Sequence, residues 1–420
     1  MTSAAARTVI ATRRVIYIPG YDPFPPRTYR ERYRRQAARQ AAISGHEITL
    51  GPCRTKGAYG WHVEARIEGA VTQSDIAVLV WSDIVRSSMD QGVLASYGQL
   101  VRTAWAYIGS GALFRLMRLR RGPVIAALYP VVVLLAQGLL ALAMGFGGYR
   151  AITVSSTALG DWGRFAPVLT GAGLAAGAVI FLAFLRWCQR RDHLLAWYLM
   201  HDYAFSARHR GAYPPAQEAR MADFAETIAA ALASDTDEVL IVGHSSGACI
   251  AISVLADLIR AGRVPKGGPV LSLLTLGHVV PMVSFLPRAD RLRADLAFLA
   301  ASDALCWVDV TAPGDVCCFA LCDPVAVTGV APPDKRWPLV ISAAFTRTLR
   351  PETWRALRWR YFETHFQYLN AFDNLTGVCG EYDYFRTTAG PLSLGARYAC
   401  RAPSPARIER GINRHRSRAA

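Results

Sequence analysis

A serine between two glycines follows a short apolar run and precedes a stretch suited to a helix. The apolar run covers 239–242, the motif Gly-His-Ser-Ser-Gly covers 243–247, and Ala-Cys-Ile-Ala-Ile-Ser-Val-Leu follows. A strand that turns directly into a helix requires glycine on both sides of the serine, because a side chain there would meet neighbouring backbone. The segment therefore predicts a strand–turn–helix unit, a nucleophile elbow, that exposes Ser245. The competing interpretation is an ordinary glycine-rich turn.

A serine nucleophile needs a base, and the histidines after the motif are His278, His365 and His415. On this kind of turn the acid and then the histidine follow the serine in the chain. His415 lies in an Arg-rich terminal segment, and His278 ends an apolar run where a loop residue beside the site is an equal interpretation. His365 follows the last strand-like run, Leu339–Phe345, which is where a catalytic histidine is expected. The alternative for His365 is a histidine packed among aromatic residues at a helix start.

Three aspartates are candidates for the acid that orients this histidine. Asp315 follows the strand-like run 306–311 through a Pro-Gly turn, which places it beyond the carboxyl end of the strand. We favour Asp315, which would hold His365 in one tautomer and stabilise the imidazolium. Asp309, within the strand, and Asp323, later in the chain, remain alternatives, and a surface turn is the alternative for all three.

A tetrahedral intermediate also requires amide donors for its oxyanion. The first expected donor is the backbone N–H of Ser246, the residue after the nucleophile. The second is the backbone N–H of Tyr21, which follows a strand-like run through a Pro-Gly turn, with Gly20 allowing close approach of the backbone. An ordinary turn that opens the next helix explains the same segment equally well.

The Val-Gly-His-Ser-Ser-Gly-Ala segment, the early Ile-Pro-Gly-Tyr loop and the chain order of Ser245, Asp315 and His365 resemble the α/β-hydrolase superfamily. The resemblance covers the whole chain except a central insertion. It implies an α/β fold with a mostly parallel sheet and helices on both faces, and the activity of an esterase, lipase or thioesterase. The chain departs from the family in two ways. It has no His-Gly-Gly-Gly oxyanion motif, and it begins almost directly with the oxyanion strand, so the first strands of the full fold are expected to be missing or replaced.

The central insertion contains two uncharged stretches, 123–146 and 166–185. At 1.5 Å per residue each reaches roughly 30 Å, the thickness of the hydrocarbon core of a bilayer. We therefore expect a transmembrane helical hairpin at 123–186, with a kink at Pro130. The second stretch carries glycines that admit close helix contact: Gly171, Gly173 and Gly177.

The formal net charge of +16 comes almost entirely from arginine. No zinc-finger spacing, RNP motif or helix-turn-helix pattern accompanies it, so we expect no nucleic-acid partner. Arginines instead border the insertion, which favours a lipid bilayer as partner; they are Arg115, Arg118, Arg120 and Arg121 before it and Arg186, Arg190 and Arg191 after it. The positive-inside rule then places both termini and the catalytic domain in the cytoplasm, at a bacterial inner membrane. Tyr149 and Trp162 are expected as aromatic anchors at the opposite interface.

The chain has nine cysteines without a paired framework. Cys317, Cys318 and Cys322 lack a partner C-x-x-C or nearby histidines, so neither a zinc site nor any other metal or cofactor is expected. Reduced, mostly buried thiols fit a cytosolic domain. No cleavable signal peptide is expected, since the first apolar run is too short.

The domain organisation follows from these features. We expect the hydrolase-like domain in two parts, 1–122 and 187–400, and a basic, disordered tail at 401–420. Hydropathy and turn patterns predict the following elements: strands at 15–18, 46–50, 76–81 and near 271, 305 and 339, and helices at 28–42 and 216–233. The aromatic segment 380–385 has no assigned role.

Together these patterns predict a membrane-anchored serine hydrolase. Its substrate would be a small ester, thioester or other acyl compound, and the hairpin favours a lipid-derived one because such molecules partition into the bilayer. Two alternatives remain: an acyltransferase that uses the same three residues, and a non-catalytic membrane protein in which the hydrolase-like fold serves for interaction.

Overall fold

The computed structural model describes residues 9–55, 57–157 and 165–419, and the side chains of 155–157 are not described. Trp162, expected as an aromatic anchor, lies outside the described residues. The chain forms two compact units. The first comprises Met1–Ser87, Ala106–Val124 and His209–Ala420, and the second comprises Ser88–Trp105 and Ile125–Arg208.

An eight-stranded sheet forms the centre of the first unit. Its strands are β1 (Thr12–Ile18), β2 (Glu47–Pro52), β3 (Gly60–Ile67), β4 (Ala70–Val78), β5 (Glu238–His244), β6 (Val270–Leu276), β7 (Cys306–Thr311) and β8 (Leu339–Ser342). The spatial order is β2-β3-β4-β1-β5-β6-β7-β8. All neighbours from β4 to β8 pair in parallel, whereas β3 is antiparallel to both β2 and β4. The predicted α/β class with a mostly parallel sheet is confirmed.

The helices fill the connections between the strands. In chain order they are α1 (Arg27–Ser44), α2 (Ser82–Met89), α3 (Val93–Gly109), α4 (Ala112–Leu119), α5 (Arg121–Thr157), α6 (Ala166–Arg191), α7 (Ala196–Arg208), α8 (Pro215–Leu232) and α9 (Gly247–Arg260). They continue with α10 (Val280–Ser284), α11 (Asp290–Ala301), α12 (Pro324–Thr328), α13 (Phe345–Thr348), α14 (Pro351–Leu357), α15 (Tyr361–His365), a 3-10 turn (Gln367–Leu369), α16 (Tyr384–Ala389) and α17 (Leu394–Arg397).

The strand β1 lies inside the sheet although it comes first in the chain. It pairs with β4 on one side and β5 on the other, and β3 and β2 extend the sheet beyond β4. The part of the sheet beyond β1 on this side is therefore formed by segments that follow β1 in the chain. Strand β3 is not among the strands predicted from the sequence, because its buried and exposed residues alternate only in its second half.

The Arg-rich terminal segment, expected to be disordered, forms hydrogen bonds with the rest of the first unit. The amide of Ser404 donates to the carbonyl of Val340 (2.8 Å), and that of Ile408 donates to Leu321 (2.7 Å). Further along, the buried side chain of Asn413 donates to the carbonyl of Ser284 (3.0 Å). Composition alone suggested a solvated tail, but these backbone groups offer partners that the composition does not reveal.

The expectation of unpaired, reduced cysteines was wrong in one place. Cys379 and Cys400, separated by 21 residues, form a disulfide in the first unit. The segment between them returns through α16 and α17, which brings two cysteines with no recognisable motif together. Disulfides persist in oxidising compartments and are rare in the cytosol, so this pair argues against the cytoplasmic location that the arginine distribution suggests.

The aromatic segment 380–385 belongs to the core of the first unit. Tyr382, Tyr384 and Phe385 are buried against the residues of β1, β3 and β4. The buried carboxylate of Asp383 caps α16 by accepting from the amides of Phe385 and Arg386. The segment 380–385 therefore closes the hydrophobic core over β1, β3 and β4.

Two helices, whose residues from Ile125 onward belong to the second unit, are long and apolar enough to cross a membrane. They are Arg121–Val154 and Ala166–Arg191, each with a window of mean hydropathy 2.3, of which only 22% and 17% respectively is buried. A core helix of a soluble protein would bury most of such a window. The helices touch at glycines: a Cβ on Gly145 would lie 2.8 Å from the carbonyl oxygen of Gly177, whereas one on Gly171 would meet nothing within 4 Å.

Candidate active site

The serine motif forms the predicted sharp turn between β5 and α9. Ser245 has φ 56°, in the left-handed region that non-glycine residues rarely adopt. Its amide donates to the carbonyl of Leu276 on the neighbouring strand (2.9 Å). A Cβ on Gly247 would overlap the carbonyl oxygens of Ile18 and Pro19, and one on Gly243 would lie 2.8 Å from the Cα of Ala248. The steric reason for both glycines is therefore present in the structure.

The predicted acid and histidine form a buried pair. Nδ1 of His365 lies 2.8 Å from Oδ2 of Asp315. The hydroxyl of Tyr368 donates to the same oxygen (3.0 Å), and the amide of Cys317 donates to Oδ1 (2.9 Å). Burial opposes ionisation of the carboxyl group, but the facing imidazole and these donors lower the pKa of Asp315 below its ordinary value. The carboxylate can therefore stay charged and fix Nδ1–H as the proton that His365 directs toward it.

Gly277 connects this pair to the serine turn. It follows Leu276, the residue whose carbonyl accepts the amide of Ser245. A Cβ on Gly277 would lie 3.2 Å from Cε1 of His365 and 2.7 Å from the ring of Tyr368. The imidazole thus packs against the end of β6 beside the turn. Ser245, His365 and Asp315 all follow the carboxyl ends of parallel strands, so the fold brings the three predicted residues to one edge of the sheet.

His244, the residue before Ser245, contacts the backbone of His365. Its Nε2 lies 3.0 Å from the backbone oxygen of His365, so Nε2 carries the proton and donates it to that carbonyl. The two rings are 4.8 Å apart. Burial, and then the charge of His365, lower the pKa of His244 to about 3. The sequence offered no signal for this role beyond the position of His244 in the motif.

The two alternative acids do not contact His365. Asp309 is fully buried in β7, accepts a hydrogen bond from Thr275 Oγ1 (2.6 Å), and lies 3.5 Å from Nε2 of His278. Asp323 caps α12 and pairs with Lys335 (2.7 Å). Each of these carboxylates therefore already has a structural partner.

His278 is a buried partner of the sheet rather than a base beside Ser245. Its Nε2 lies 3.1 Å from the carbonyl oxygen of Cys322 as well as near Asp309. Burial lowers its pKa, but the Asp309 carboxylate more than offsets that effect, so the pKa of His278 is raised overall. His278, which follows β6, thus links the end of that strand to Asp309 in β7 and to Cys322 in the loop after β7.

The predicted oxyanion donors, the amides of Ser246 and Tyr21, lie next to Ser245, but the Tyr21 amide already donates a hydrogen bond. The amide of Tyr21 donates to Oγ of Ser246 (2.8 Å). A Cβ on Gly20 would lie 2.9 Å from the Cβ of Ser245, so glycine is needed for this close approach. Ser246 occupies the position before the first residue of α9, and the first amides of a helix have no acceptor within that helix. The backbone amide of Ser246 therefore lies at the N-terminal end of α9, directly beside Ser245.

Asp315, Cys317 and His365 also bring three potential metal-ligand atoms within 4.8 Å of one another. Both oxygens of Asp315 already accept hydrogen bonds, Oδ2 from His365 and Tyr368 and Oδ1 from the Cys317 amide. These hydrogen bonds account for the arrangement as an acid–histidine pair.

Comparison with known proteins identifies no relative. No family model matches the chain, and neither a curated protein nor a solved structure matches it. The function is therefore inferred from the geometry of the site itself.

Proposed function

We propose that the protein is a membrane-anchored serine hydrolase that cleaves a carboxylic ester or thioester. The observation that carries this proposal is one arrangement: Ser245 in a left-handed turn, with the buried His365–Asp315 pair packed against the adjacent Gly277. A structural turn does not require a strained serine, and a core histidine does not require a buried carboxylate with three donors.

The proposed reaction has two steps. Ser245 Oγ attacks the carbonyl carbon while Nε2 of His365 accepts its proton, and the alcohol or thiol leaves with that proton as the acyl-enzyme forms. Water then attacks the acyl-enzyme, with His365 again accepting and returning the proton, and the carboxylic acid is released. Asp315 stabilises the imidazolium in both steps. His244 and Tyr368 are positioning residues, since they hold the backbone of His365 and the carboxylate of Asp315.

The oxyanion would be held by the backbone amides of Ser246 and Tyr21. Because the Tyr21 amide donates to the Ser246 hydroxyl in the structure, we propose that this hydroxyl rotates away when substrate binds. Loss of one such donor typically costs a factor of about 100 to 1,000 in turnover, so this rearrangement matters for the rate.

Labelling with a fluorophosphonate probe tests the proposal. The wild-type protein in membranes should be labelled and Ser245→Ala should not, while the exposed Ser234→Ala serves as a matched control that should label normally. Hydrolysis of a short-chain aryl ester should fall by on the order of a thousandfold or more in Ser245→Ala and in His365→Ala, because the three residues act as a unit. Equal labelling of Ser245→Ala and wild type would exclude Ser245 as the nucleophile, and absence of labelling in both would favour a non-catalytic interaction protein.

A further inference from the structure

The loop that carries Asp315 is attached to the start of the first apolar helix. Nε of Arg120 donates to the carbonyl of Ala320 (2.8 Å). A Cβ on Gly122 would lie 3.4 Å from the carbonyl oxygen of Val316, the residue after Asp315. All of these residues belong to the first unit. The point where the chain enters α5 therefore lies against the same edge of the sheet as the candidate active site.

Helix α4, which leads into α5, has an exposed apolar face. Phe114 and Met117 are 59% and 38% exposed, and the exposed Arg118 lies on the same side at helical spacing. The opposite side is buried through Ala112, Leu116 and Leu119. Arg121, at the start of α5, is exposed as well. The chain thus presents apolar and cationic side chains directly before a helix long enough to span a bilayer.

A second exposed segment, which contains aromatic residues, lies next to the loop that carries Asp315. Sγ of Cys317 lies 4.0 Å from the carbonyl oxygen of Tyr361. Tyr361 is 47% exposed and Trp359 is 69% exposed. The guanidinium of Arg358 lies 5.3 Å from the centroid of the Trp359 ring. Two large aromatic residues and an arginine are therefore exposed a few residues before His365.

We propose that Phe114, Met117, Arg118, Arg121, Trp359 and Tyr361 form one membrane-contacting surface, here called the junction surface. Tryptophan, tyrosine and arginine are the residues that favour the headgroup region, where an apolar body and a polar end are both accommodated. The arginines complement anionic lipids. Continuity with α5 selects the bilayer as the occupant, because the surface includes Arg121, the residue at which the apolar helix begins.

The consequence for function rests on the proposed hydrolase activity. The junction surface borders the loop of Asp315 and the segment of His365, so the entrance to Ser245 faces the headgroups. The substrate class is then an ester or thioester that is dissolved in the bilayer, with its acyl chain among the lipids, and it reaches Ser245 without passing through water.

Lipid quenching at position 359 tests the surface independently of activity. The full chain is reconstituted in vesicles of phosphatidylglycerol and phosphatidylcholine, a bimane fluorophore is attached to Trp359→Cys, and nitroxide-labelled lipids are added. Val71→Cys is the matched control, since Val71 is 43% exposed at the amino end of β4, the opposite edge of the sheet. The unsubstituted chain, treated alike, gives the background from native cysteines. Quenching at 359 should be at least several-fold stronger than at 71, and equal quenching would overturn the proposal.

A substrate comparison tests the consequence. Trp359→Ser combined with Tyr361→Ser should lower the ratio of turnover on a long-chain ester in vesicles to turnover on a soluble short-chain ester by at least about tenfold, as expected from the apolar area of two aromatic side chains. An unchanged ratio would overturn delivery from the bilayer. If position 359 is quenched by lipid but the wild type cleaves no ester, the junction surface stands and the proposed hydrolase activity fails.

Discussion

The buried, neutral His244 should make the stability of the first unit fall in acid. In the unfolded chain its pKa has the ordinary value of 6.5, whereas in the folded chain it is about 3, chiefly because of burial and secondly because of His365. Between these two pKa values the unfolded chain therefore binds a proton at His244, whereas the folded chain does not. The resulting stability is fully present above pH 6.5 and is lost as the pH falls toward the folded value.

The size of this effect follows from the two values. Each pH unit between them is worth about 1.4 kcal/mol, so the full loss approaches about 5 kcal/mol. Between about pH 7.5 and about pH 5 the expected loss is about 2 kcal/mol. A loss of that size is a large fraction of the stability of a typical domain.

The free energy of unfolding can be measured by pulse proteolysis in urea, in mild detergent, at both pH values. His244→Gln retains a side-chain N–H for the carbonyl of His365 but does not titrate, so its stability should lose about 2 kcal/mol less than that of wild type over this interval. His193→Gln, at an exposed position, is the control and should lose as much as wild type. An identical pH dependence in His244→Gln and wild type would refute the reasoning, because the proton uptake would then occur elsewhere.

Three further predictions concern the acid, the turn and the orientation in the membrane. Asp315→Asn should lower turnover on a short-chain ester by on the order of a thousandfold, because His365 loses the charge that orients it, whereas Asp309→Asn should lower mainly the thermal midpoint; the reverse pattern would move the acid to Asp309. Gly247→Ala should abolish probe labelling and destabilise the protein by about 1–3 kcal/mol through overlap with strand backbone, and normal labelling would show that the turn is not needed. In intact cells a membrane-impermeant maleimide should label Ser156→Cys but not Ala406→Cys if the positive-inside rule holds. The opposite pattern would place the first unit, with its Cys379–Cys400 disulfide, on the oxidising side.

The features that the sequence determined by itself are local ones. The Gly-His-Ser-Ser-Gly turn could be predicted because the steric demand for glycine arises within five residues and their flanking strand and helix. The two apolar helices could be predicted because length and composition alone decide whether a segment can span a bilayer. Chain order and local composition together favoured His365 as the candidate base, since His365 and His415 both follow the last strand and only His415 lies in the Arg-rich terminal segment.

The choice of Asp315 as the candidate acid depended on more than chain order. Asp309, Asp315 and Asp323 all lie near the end of β7 in the sequence, and only their positions in the fold separate them. Asp309 points into the sheet toward Thr275, whereas Asp315 lies on the loop that meets His365. One residue of register decides which face of a strand a side chain occupies, and a single sequence does not fix that register.

Several features were decided by the tertiary structure alone, and each depends on a contact between distant residues. His244 holds the carbonyl of His365, 121 residues away. The terminal segment lies against the first unit because the carbonyls of Leu321 and Val340 accept hydrogen bonds from its amides. The disulfide forms because the chain folds back between Cys379 and Cys400. Composition and periodicity describe what a segment prefers by itself, whereas these contacts exist only once the sheet has assembled and its loops have been brought to one edge.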